Sequence, residues 1–339
     1  MEGTPLATGK LPAELLGRLL AGAGRCTEEV LLGPAVGEDA CAIRVPAGLL
    51  VAATDPVTLT SAGAARLAVI LNANDVAVMG VRPRWFLAAV LLPPATTEAT
   101  VTELFDALHA ALDEVGACLV GGHTEVSTAV TRPVIVGQML GISDTGIVAT
   151  GGARVGDVVV QVGLVPVEGA AVLAAEVGAR LVGVDPATLA AAAGALDDPG
   201  VSVVAPALAA AELGATSLHD PTEGGLAAAL HEVAASAGVA VRVHTDAIGW
   251  FAPGLAVCRA LGADPWATLS SGALLAAFAP EAAARAIDAL HAQGYAAAAI
   301  GVVEDGCGVR DTAGREIACP ERDEVARVLG DQLAPARGE

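Results

Sequence analysis

Between residues 64 and 79 the chain reads Ala-Ala-Arg-Leu-Ala-Val-Ile-Leu-Asn-Ala-Asn-Asp-Val-Ala-Val-Met, with apolar side chains at helical spacing. The apolar run at 49–54 predicts a buried strand, with Asp55 at its carboxyl end and Pro56 as its stop. A second strand is predicted at 85–92. Strand, helix and strand in this order are typical of a layered α/β domain.

The same alternation continues to the end of the chain. A helix is predicted at 103–115, closed by Gly116, with strands at 117–120 and 134–140. The turn-rich segment 150–157 suggests a boundary that divides the 339 residues into domains 1–148 and 149–339. In the second half, strands are predicted at 158–162, 239–243 and 273–278, and helices from Glu168 and at 186–194, 206–213 and 225–237. Both domains are therefore predicted to be α/β.

Composition narrows the class of protein. Hydrophobic residues make up 54% of the chain and charged residues 17%, which fits a compact protein and excludes a disordered one. Because no apolar run reaches the roughly 18 residues of a membrane helix, we expect no membrane span. The segment 1–10 lacks the pattern of a secretory signal, so we expect a cytoplasmic protein. A net charge of -20 argues against nucleic acid as a partner.

Common enzyme signatures are absent from the sequence. There is no P-loop motif, and the glycines at 22–24 lack the last glycine of a dinucleotide-binding loop. His231 and Glu232 lack the second histidine of a zinc-protease helix, and no nucleophile elbow occurs. The six cysteines form no C-x-x-C pair, so neither a zinc ribbon nor a redox motif is indicated.

Acidic residues beside glycines are the remaining candidates. Gly37 allows a close backbone approach to a ligand, and Glu38 and Asp39 place two carboxylates next to it. Asp55 stands where α/β sheets usually present ligand groups. The alternatives are a solvated acidic turn and a turn aspartate.

Asn74 and Asp75 interrupt the apolar helix at 64–79. A charge in such surroundings needs a partner. A metal ion would serve, and so would an arginine in a structural salt bridge. Carboxylates that converge from separate loops are the ligands that Mg²⁺ nucleotides favour.

Two further glycine-containing segments are candidates. In 121–125, after a predicted strand, the amides of Gly121 and Gly122 and the hydroxyl of Thr124 could hold phosphate oxygens, and His123 adds a titratable group; the alternative is a turn with a surface histidine. In 219–225, Asp220 is expected to cap the helix that follows. Gly224 and Gly225 would weaken its first turn unless the backbone must approach something there, such as an anion.

Seven stretches together resemble a known superfamily: Gly9-Lys10-Leu11-Pro12, Val36-Gly-Glu-Asp-Ala40, Thr54-Asp-Pro56, Asn72-Ala-Asn-Asp-Val-Ala-Val-Met-Gly80 with Arg82-Pro83, Gly121-Gly-His-Thr-Glu125, His219-Asp-Pro-Thr-Glu-Gly-Gly225 and Leu269-Ser-Ser-Gly-Ala273. This superfamily contains aminoimidazole ribonucleotide (AIR) synthetase, selenophosphate synthetase, thiamine-monophosphate kinase and HypE. The stretches follow the family order through nearly the whole chain. They are most similar to the HypE-like AIR synthase-related proteins.

The resemblance implies a PurM-like two-domain fold. In that fold the N-terminal domains of a homodimer join into a shared β-barrel, nucleotide sites lie at the interface, and C-terminal α/β domains lie alongside. The resemblance implies that ATP and Mg²⁺ are bound, with metal ligands at Asp39, Asp55, Asp75 and Asp220. The candidates for contacts with the nucleotide and its phosphates are Gly37, Glu38, Asn74, Gly121, Gly122, Thr124, Gly224 and Gly225. The candidate catalytic residues are Lys10, which resembles a mobile lysine that reaches the transferred phosphate in some members, and His123, the titratable group of the segment 121–125.

The implied reaction is phosphoryl transfer from Mg-ATP to an oxygen of a small metabolite or amide-like group. A kinase similar to thiamine-monophosphate kinase and a non-catalytic nucleotide-binding partner in protein maturation are the alternatives. His123 stands where many members carry an acidic residue, so a metal ligand is lost there or replaced by Glu125. HypE proper carries a terminal cysteine that is itself modified, whereas the last cysteine here is Cys319; hydrogenase maturation itself is therefore not expected. No cysteine lies near Lys10, which argues against selenophosphate synthesis.

Overall fold

Two six-stranded sheets organise the chain. The computed structural model describes residues 30–32, 37, 41–45, 48–58, 63–94, 96–178 and 181–333. The first sheet contains β1 (Val30–Leu32), β2 (Cys41–Val45), β3 (Gly48–Val57), β4 (Pro83–Leu92), β5 (Cys118–Val126) and β6 (Val134–Ser143). Their order across the sheet is β1-β2-β3-β6-β4-β5, and only β4 and β5 run parallel.

In the part of the chain that the structure describes, two helices belong to the first sheet. Helix α1 (Ala64–Ala77) contacts β3 and β6, and α2 (Glu98–Val115) packs on α1. Most side chains of α1 are buried, as expected for a helix that is apolar on nearly all sides. The Thr97 hydroxyl caps α2 by accepting a hydrogen bond from the Thr100 amide. Gly116, with a φ of 70°, ends the helix as the sequence predicts.

The second sheet belongs to the second half of the chain. Its strands are β7 (Val158–Val162), β8 (Ser217–His219), β9 (Ala240–Val243), β10 (Leu274–Phe278), β11 (Ala297–Glu304) and β12 (Gly308–Asp311), in the order β12-β9-β11-β7-β10-β8. The helices are α3 (Glu168–Val177), α4 (Pro186–Ala193), α5 (Val204–Glu212), α6 (Gly225–Ala237), α7 (Ala252–Leu261), α8 (Pro280–Ala292) and α9 (Glu324–Leu333). Both halves are α/β, as predicted. Among the described residues, no helix combines the length and apolarity needed to cross a membrane.

Strand β3 corrects the predicted end of the first strand. It runs on through Asp55 and Pro56 to Val57, with Asp55 in register with Gly137 of β6. Among the described residues, the pairing of β2 with β3 reaches only Ala52, so beyond this point β3 has a described neighbour on one side alone. Proline is tolerated there because it removes no ladder hydrogen bond from a second neighbour.

Side chains of α1 connect the two halves of the chain. The Asn74 amide is fully buried and donates a hydrogen bond to the Val201 carbonyl at 2.9 Å. Its oxygen accepts one from the Val203 amide at 2.8 Å. Arg66 of the same helix donates to the Leu196 carbonyl at 2.9 Å and pairs with Glu114. These contacts fix α1 against the segment that leads into α5.

We expect Asn74→Ala to lower the free energy of unfolding by about 2 to 4 kcal/mol, since it leaves a buried amide and a buried carbonyl without partners. Denaturant unfolding measures the loss. Asp113→Asn, on the exposed face of α2, is the matched control and should change stability little. Equal stability of Asn74→Ala and the control would contradict a connecting role for Asn74.

Candidate functional site

The side chain of Asn72, on α1, is hydrogen-bonded to the backbone of Asp55, on β3. Its side-chain oxygen accepts a hydrogen bond from the Asp55 amide at 2.8 Å, and its amino group donates to the Asp55 carbonyl at 3.1 Å. Asn72 is fully buried, so this pair of bonds fixes the backbone of Asp55. Asp75 lies one helical turn after Asn72, on the same side of α1, and is half-buried. The structure therefore brings Asp55 to the side of the helix that carries Asp75.

The loop after β8 carries the next acidic candidate. Asp220 directly follows β8 and is 1% exposed. Beside it, His219 is buried and lies 2.8 Å from the Glu232 carboxylate of α6. Gly37 packs on the same helix: a Cβ there would lie 2.8 Å from the Ser236 hydroxyl oxygen, and its φ is +86°. Gly37, from the first half of the chain, thus packs against α6. The loop that carries Asp220 leads into the same helix.

Gly224 and Gly225 have a structural explanation that the sequence did not indicate. Helix α6 begins at Gly225 with Gly224 as its N-cap, so the prediction of Asp220 as the cap is wrong. The Gly224 amide donates instead to the Asp323 carboxylate at 2.7 Å. A Cβ on Gly225 would lie 2.6 Å from the carbonyl oxygens of Trp266 and Thr268. The backbone that approaches Gly225 is that of the chain itself, because the segment at 266–268 packs directly against it.

The segment 121–125 is not the loop that the sequence predicts. Gly121, Gly122, His123 and Thr124 all lie within β5, the exposed edge strand, which pairs in parallel with β4. A Cβ on Gly122 would overlap the Ala88 carbonyl oxygen, so this glycine is explained by the close approach of β4. His123 and Glu125 point to the same face of the strand, 3.3 Å apart, and both are exposed.

Within one chain, β5 is remote from the other candidates. Strands β6 and β4 separate it from β3. Three steps of about 4.8 Å between neighbouring strands place His123 roughly 14 Å from Asp55 across the sheet. The structure therefore places Asp55 beside the helix that carries Asp75 but leaves the β5 residues apart from both.

The second half of the chain contributes a buried carboxyl, that of Glu168, to the region around Asp55. Glu168, the first residue of α3, is 4% exposed. Its pKa is raised to about 7, chiefly by burial; the nearby Ser271 hydroxyl lowers the pKa, and the negative charges of Asp323, Asp55 and Glu223 raise it. Because Asp55 belongs to β3, a carboxylate of the first half lies near enough to Glu168 to influence its charge.

Asp323 is the second buried carboxyl in this region. It accepts hydrogen bonds from the amides of Gly224 and Val325, each at 2.7 Å, and so caps both α6 and α9. Burial raises its pKa to about 7, although both amide hydrogen bonds favour the charged form. Its carboxylate therefore stabilises two helix starts next to the candidate site.

The predicted metal ligands do not form a closed cage. Within the described part of the chain, no three His, Cys, Asp or Glu side chains are grouped closely enough to hold a metal ion. Asp39, with Lys10 and Glu38, lies outside the described residues. Magnesium usually takes one or two carboxylates and completes its shell with substrate phosphates and water. The oxygen donors of Asp55 and Asp75 fit this mode of binding.

Four residues of this region were not predicted from the sequence as site residues: Asn72, Glu168, Ser271 and Asp323. Glu168 could have been found by the argument used for Asp75, since it is a lone charge in the apolar stretch 158–175. Asn72 and Ser271 lie in motifs that the resemblance uses. No local signal marks Asp323, which acts on a helix start 99 residues earlier in the chain.

A separate groove lies between the two halves. Its volume is about 560 Å³, and Arg66, Glu114, Ser202, Glu212 and Tyr295 are among the residues that line it. None of the predicted site residues lines it. It is therefore distinct from the acidic region described above.

Known proteins match both halves of the chain. Residues 37–143 match the family model of the AIR synthase related protein, N-terminal domain, and residues 154–313 match that of the C-terminal domain. The carbamoyl dehydratase HypE of Rhizobium leguminosarum bv. viciae is 30% identical over 280 residues, which cover 79% of this chain and 77% of the relative.

Solved structures share the fold. A HypE in complex with ATP superimposes with a TM-score of 0.69 at 22% identity, covering 92% of this chain and 91% of that one. HypE in a HypE-HypF complex superimposes with a TM-score of 0.71 at 22% identity, covering 84% and 94%. With two matched domain models and a curated relative that spans most of its length, the chain belongs to the AIR synthase-related, PurM-like family.

Proposed function

We propose that this protein is an ATP-dependent enzyme that transfers the γ-phosphoryl group of Mg-ATP to an oxygen of a small metabolite or amide-like group. The observation that carries the proposal is the convergence of Asp55 and Asp75 with Glu168 of the second half. The relative is named a carbamoyl dehydratase, and a HypE of the same fold binds ATP, which supports the same class of chemistry here.

Magnesium would be held by Asp55 and Asp75, together with Asp39 and Asp220. A bound Mg²⁺ neutralises phosphate charge and orients the transferred group. The chain's own contribution is to fix these carboxylates, which the Asn72 hydrogen bonds do for Asp55. Glu38 and the backbone at Gly37 and Gly224–Gly225 are proposed to contact the nucleotide.

Lys10 is proposed to act on the transferred phosphate. Its ammonium would neutralise charge that develops in the transition state. Lys10→Ala should then lower kcat and kcat/KM together, with little change in nucleotide affinity. Steady-state kinetics combined with ATP titration measures both quantities. An unchanged kcat would show that Lys10 takes no part in phosphoryl transfer.

A homodimer is proposed to complete the site. Strand β5 is an exposed edge, on which Val120 and Val126 are 53% and 59% exposed. Unpaired apolar edge strands invite pairing with a second chain. A partner chain would cover β5 and bring its Gly121, Gly122, His123 and Thr124 to a shared site. Light scattering should give the mass of a dimer, and a fully active monomer at assay concentration would contradict the proposal.

A partner protein is a further proposal. The fold neighbour HypE is found in complex with HypF, which favours a maturation partner for this chain as well. If the protein binds nucleotide without turnover, ADP release will stay at background both with and without the candidate partner. We place the protein in the cytoplasm, where ATP and Mg²⁺ are available.

The experiment that tests the proposed function is a metabolite screen. The protein, ATP and Mg²⁺ are incubated with a metabolite extract and the products are read by mass spectrometry. A metabolite that loses water while ADP forms indicates a dehydratase or cyclase, and one that gains a phosphate indicates a kinase. No ADP formation with any fraction would contradict the enzyme assignment.

A further inference from the structure

Two buried polar groups beside the acidic region are incompletely hydrogen-bonded. Among the residues that the structure describes, neither the Glu168 Oε2 atom nor the Ser271 hydroxyl makes a hydrogen bond of normal geometry, although the Ser271 hydroxyl lies near enough to Glu168 to lower the pKa of its carboxyl. Glu168 is 4% exposed and Ser271 is fully buried. An unsatisfied buried polar group costs about 1 to 3 kcal/mol, and more when it is charged. Two such groups side by side indicate a place kept for the polar atoms of a ligand.

The surrounding backbone holds Glu168 in place. The amide of Gly169 donates to the Leu269 carbonyl at 2.9 Å. A Cβ on Gly169 would lie 2.5 Å from the Thr268 methyl group and 2.7 Å from the Leu269 carbonyl oxygen. The start of α3 is thus in close contact with the segment that carries Ser271.

The Ser271 segment is also tied to the loop after β8. The Ser270 amide donates to the Thr222 carbonyl at 3.3 Å, and the Ser270 hydroxyl donates to the Thr268 carbonyl at 2.7 Å. The loop at 220–223 carries Asp220, one of the proposed metal ligands. The two incompletely hydrogen-bonded groups therefore adjoin the proposed phosphate site.

The charges around Glu168 restrict what can bind there. Among the described residues, the charges that raise its pKa are those of Asp323, Asp55 and Glu223, all acidic. An anionic ligand would meet like charges in a site of low dielectric, where repulsion is strong. An uncharged group that donates a hydrogen bond would instead satisfy the Glu168 carboxylate and gain from its negative surroundings.

We propose that Glu168 and Ser271 bind the phosphate acceptor through an uncharged N–H or O–H group, and that Glu168 takes the proton of this group during phosphoryl transfer. With an amide, the carbonyl oxygen forms the bond to the γ-phosphorus while the N–H proton passes to Glu168. The bond between the γ-phosphorus and the bridging oxygen breaks, and ADP leaves with its electron pair. This inference rests on the proposed function and selects amides, ureas and alcohols over carboxylates and phosphate monoesters.

The test uses matched probes. ADP release is measured with ATP and Mg²⁺ in the presence of acetamide or acetate, and of glycerol or glycerol phosphate. The members of each pair differ in charge, and acetamide and acetate are also similar in shape. We expect the uncharged member to stimulate ADP release by the wild-type protein at least about tenfold more than the anionic one. Greater stimulation by the anionic members would overturn the proposal.

Variants separate a catalytic Glu168 from a structural one. Glu168→Gln keeps the volume but cannot take a proton, so stimulated ADP release should fall by about 10² to 10⁴-fold with an ATP affinity within about twofold of wild type. Ser271→Ala should mainly raise the KM for the uncharged probe. Glu176→Gln, on the exposed side of the same helix, is the control and should match wild type.

The dependence of stimulated ADP release on pH distinguishes a Glu168 that accepts a proton from one with a purely structural role. Wild-type stimulated release should rise with pH as the Glu168 carboxyl ionises, and Glu168→Gln should lose this rise. If ATP binds normally but the uncharged probes give no stimulation, or if Glu168→Gln retains it, Glu168 is not the proton acceptor. Failure to bind ATP at all would instead contradict the proposed function itself.

Discussion

Asp75→Asn is expected to lower ATP turnover by roughly a hundredfold or more without unfolding the protein. The substitution is isosteric and the residue is half-buried on α1, so packing is preserved. What is lost is a negative oxygen donor next to Asp55, and electrostatic groups at a reacting phosphate commonly contribute this much to kcat. ADP release and the melting temperature of the same preparation test the prediction.

Asp113→Asn on the exposed part of α2 is the control for this substitution and should leave both quantities unchanged. The alternative for Asp75 is a structural ion pair. In that case the variant would show a lowered melting temperature, because removing one member of a buried pair leaves the other charge uncompensated, and turnover per folded molecule would stay close to wild type.

The stability of the ligand-free protein is expected to fall as pH rises from about 5 to about 8. The ordinary pKa values of Glu168 and Asp323 are 4.5 and 3.8, and in the folded chain both are raised to about 7. Between these values the folded state holds protons that the unfolded state has lost, so protonation favours folding. Its contribution is complete below the unfolded pKa values and disappears as pH rises through about 7.

These differences in pKa between the unfolded and the folded state change the free energy of unfolding by about 3 to 4 kcal/mol for each carboxyl. The combined effect is smaller than the sum, because the charge of Asp323 is one cause of the raised pKa of Glu168. Glu168→Gln should therefore be more stable than wild type near pH 8 and should show a shallower dependence on pH. A wild-type melting temperature that is constant across this range, measured with EDTA present, would contradict the prediction.

The local sequence predicts the elements that begin and end with clear signals. Helix α1 begins at the predicted residue, Ala64, and α6 spans its predicted range from Gly225 to Ala237. Other segments carry weaker signals. Strand β11 begins Ala-Ala-Ala, a composition with low strand propensity, and its place between β7 and β9 comes from pairing with distant parts of the chain.

Some residues of the candidate site could likewise be predicted from the local sequence, and others could not. Asp55 and Asp75 stand out because they are charges next to apolar runs, and the structure places them on the same side of α1. The roles of Asn72 and Asp323 depend on contacts with backbone 17 and 99 residues away, which no local pattern encodes. The misassigned turn at 121–125 is a strand because β4 accepts Gly122 at close range, a tertiary contact that outweighs the turn preference of two glycines.

The central claim is that acidic residues from both halves of the chain bind ATP through Mg²⁺. Calorimetric titration of the protein with ATP, in the presence of Mg²⁺ and again in EDTA, tests it most directly. Without the cation the phosphates would face unscreened carboxylates, so binding should be weakened strongly in EDTA, and Asp75→Asn should reduce this difference. Equal affinity for ATP in Mg²⁺ and in EDTA would contradict the account.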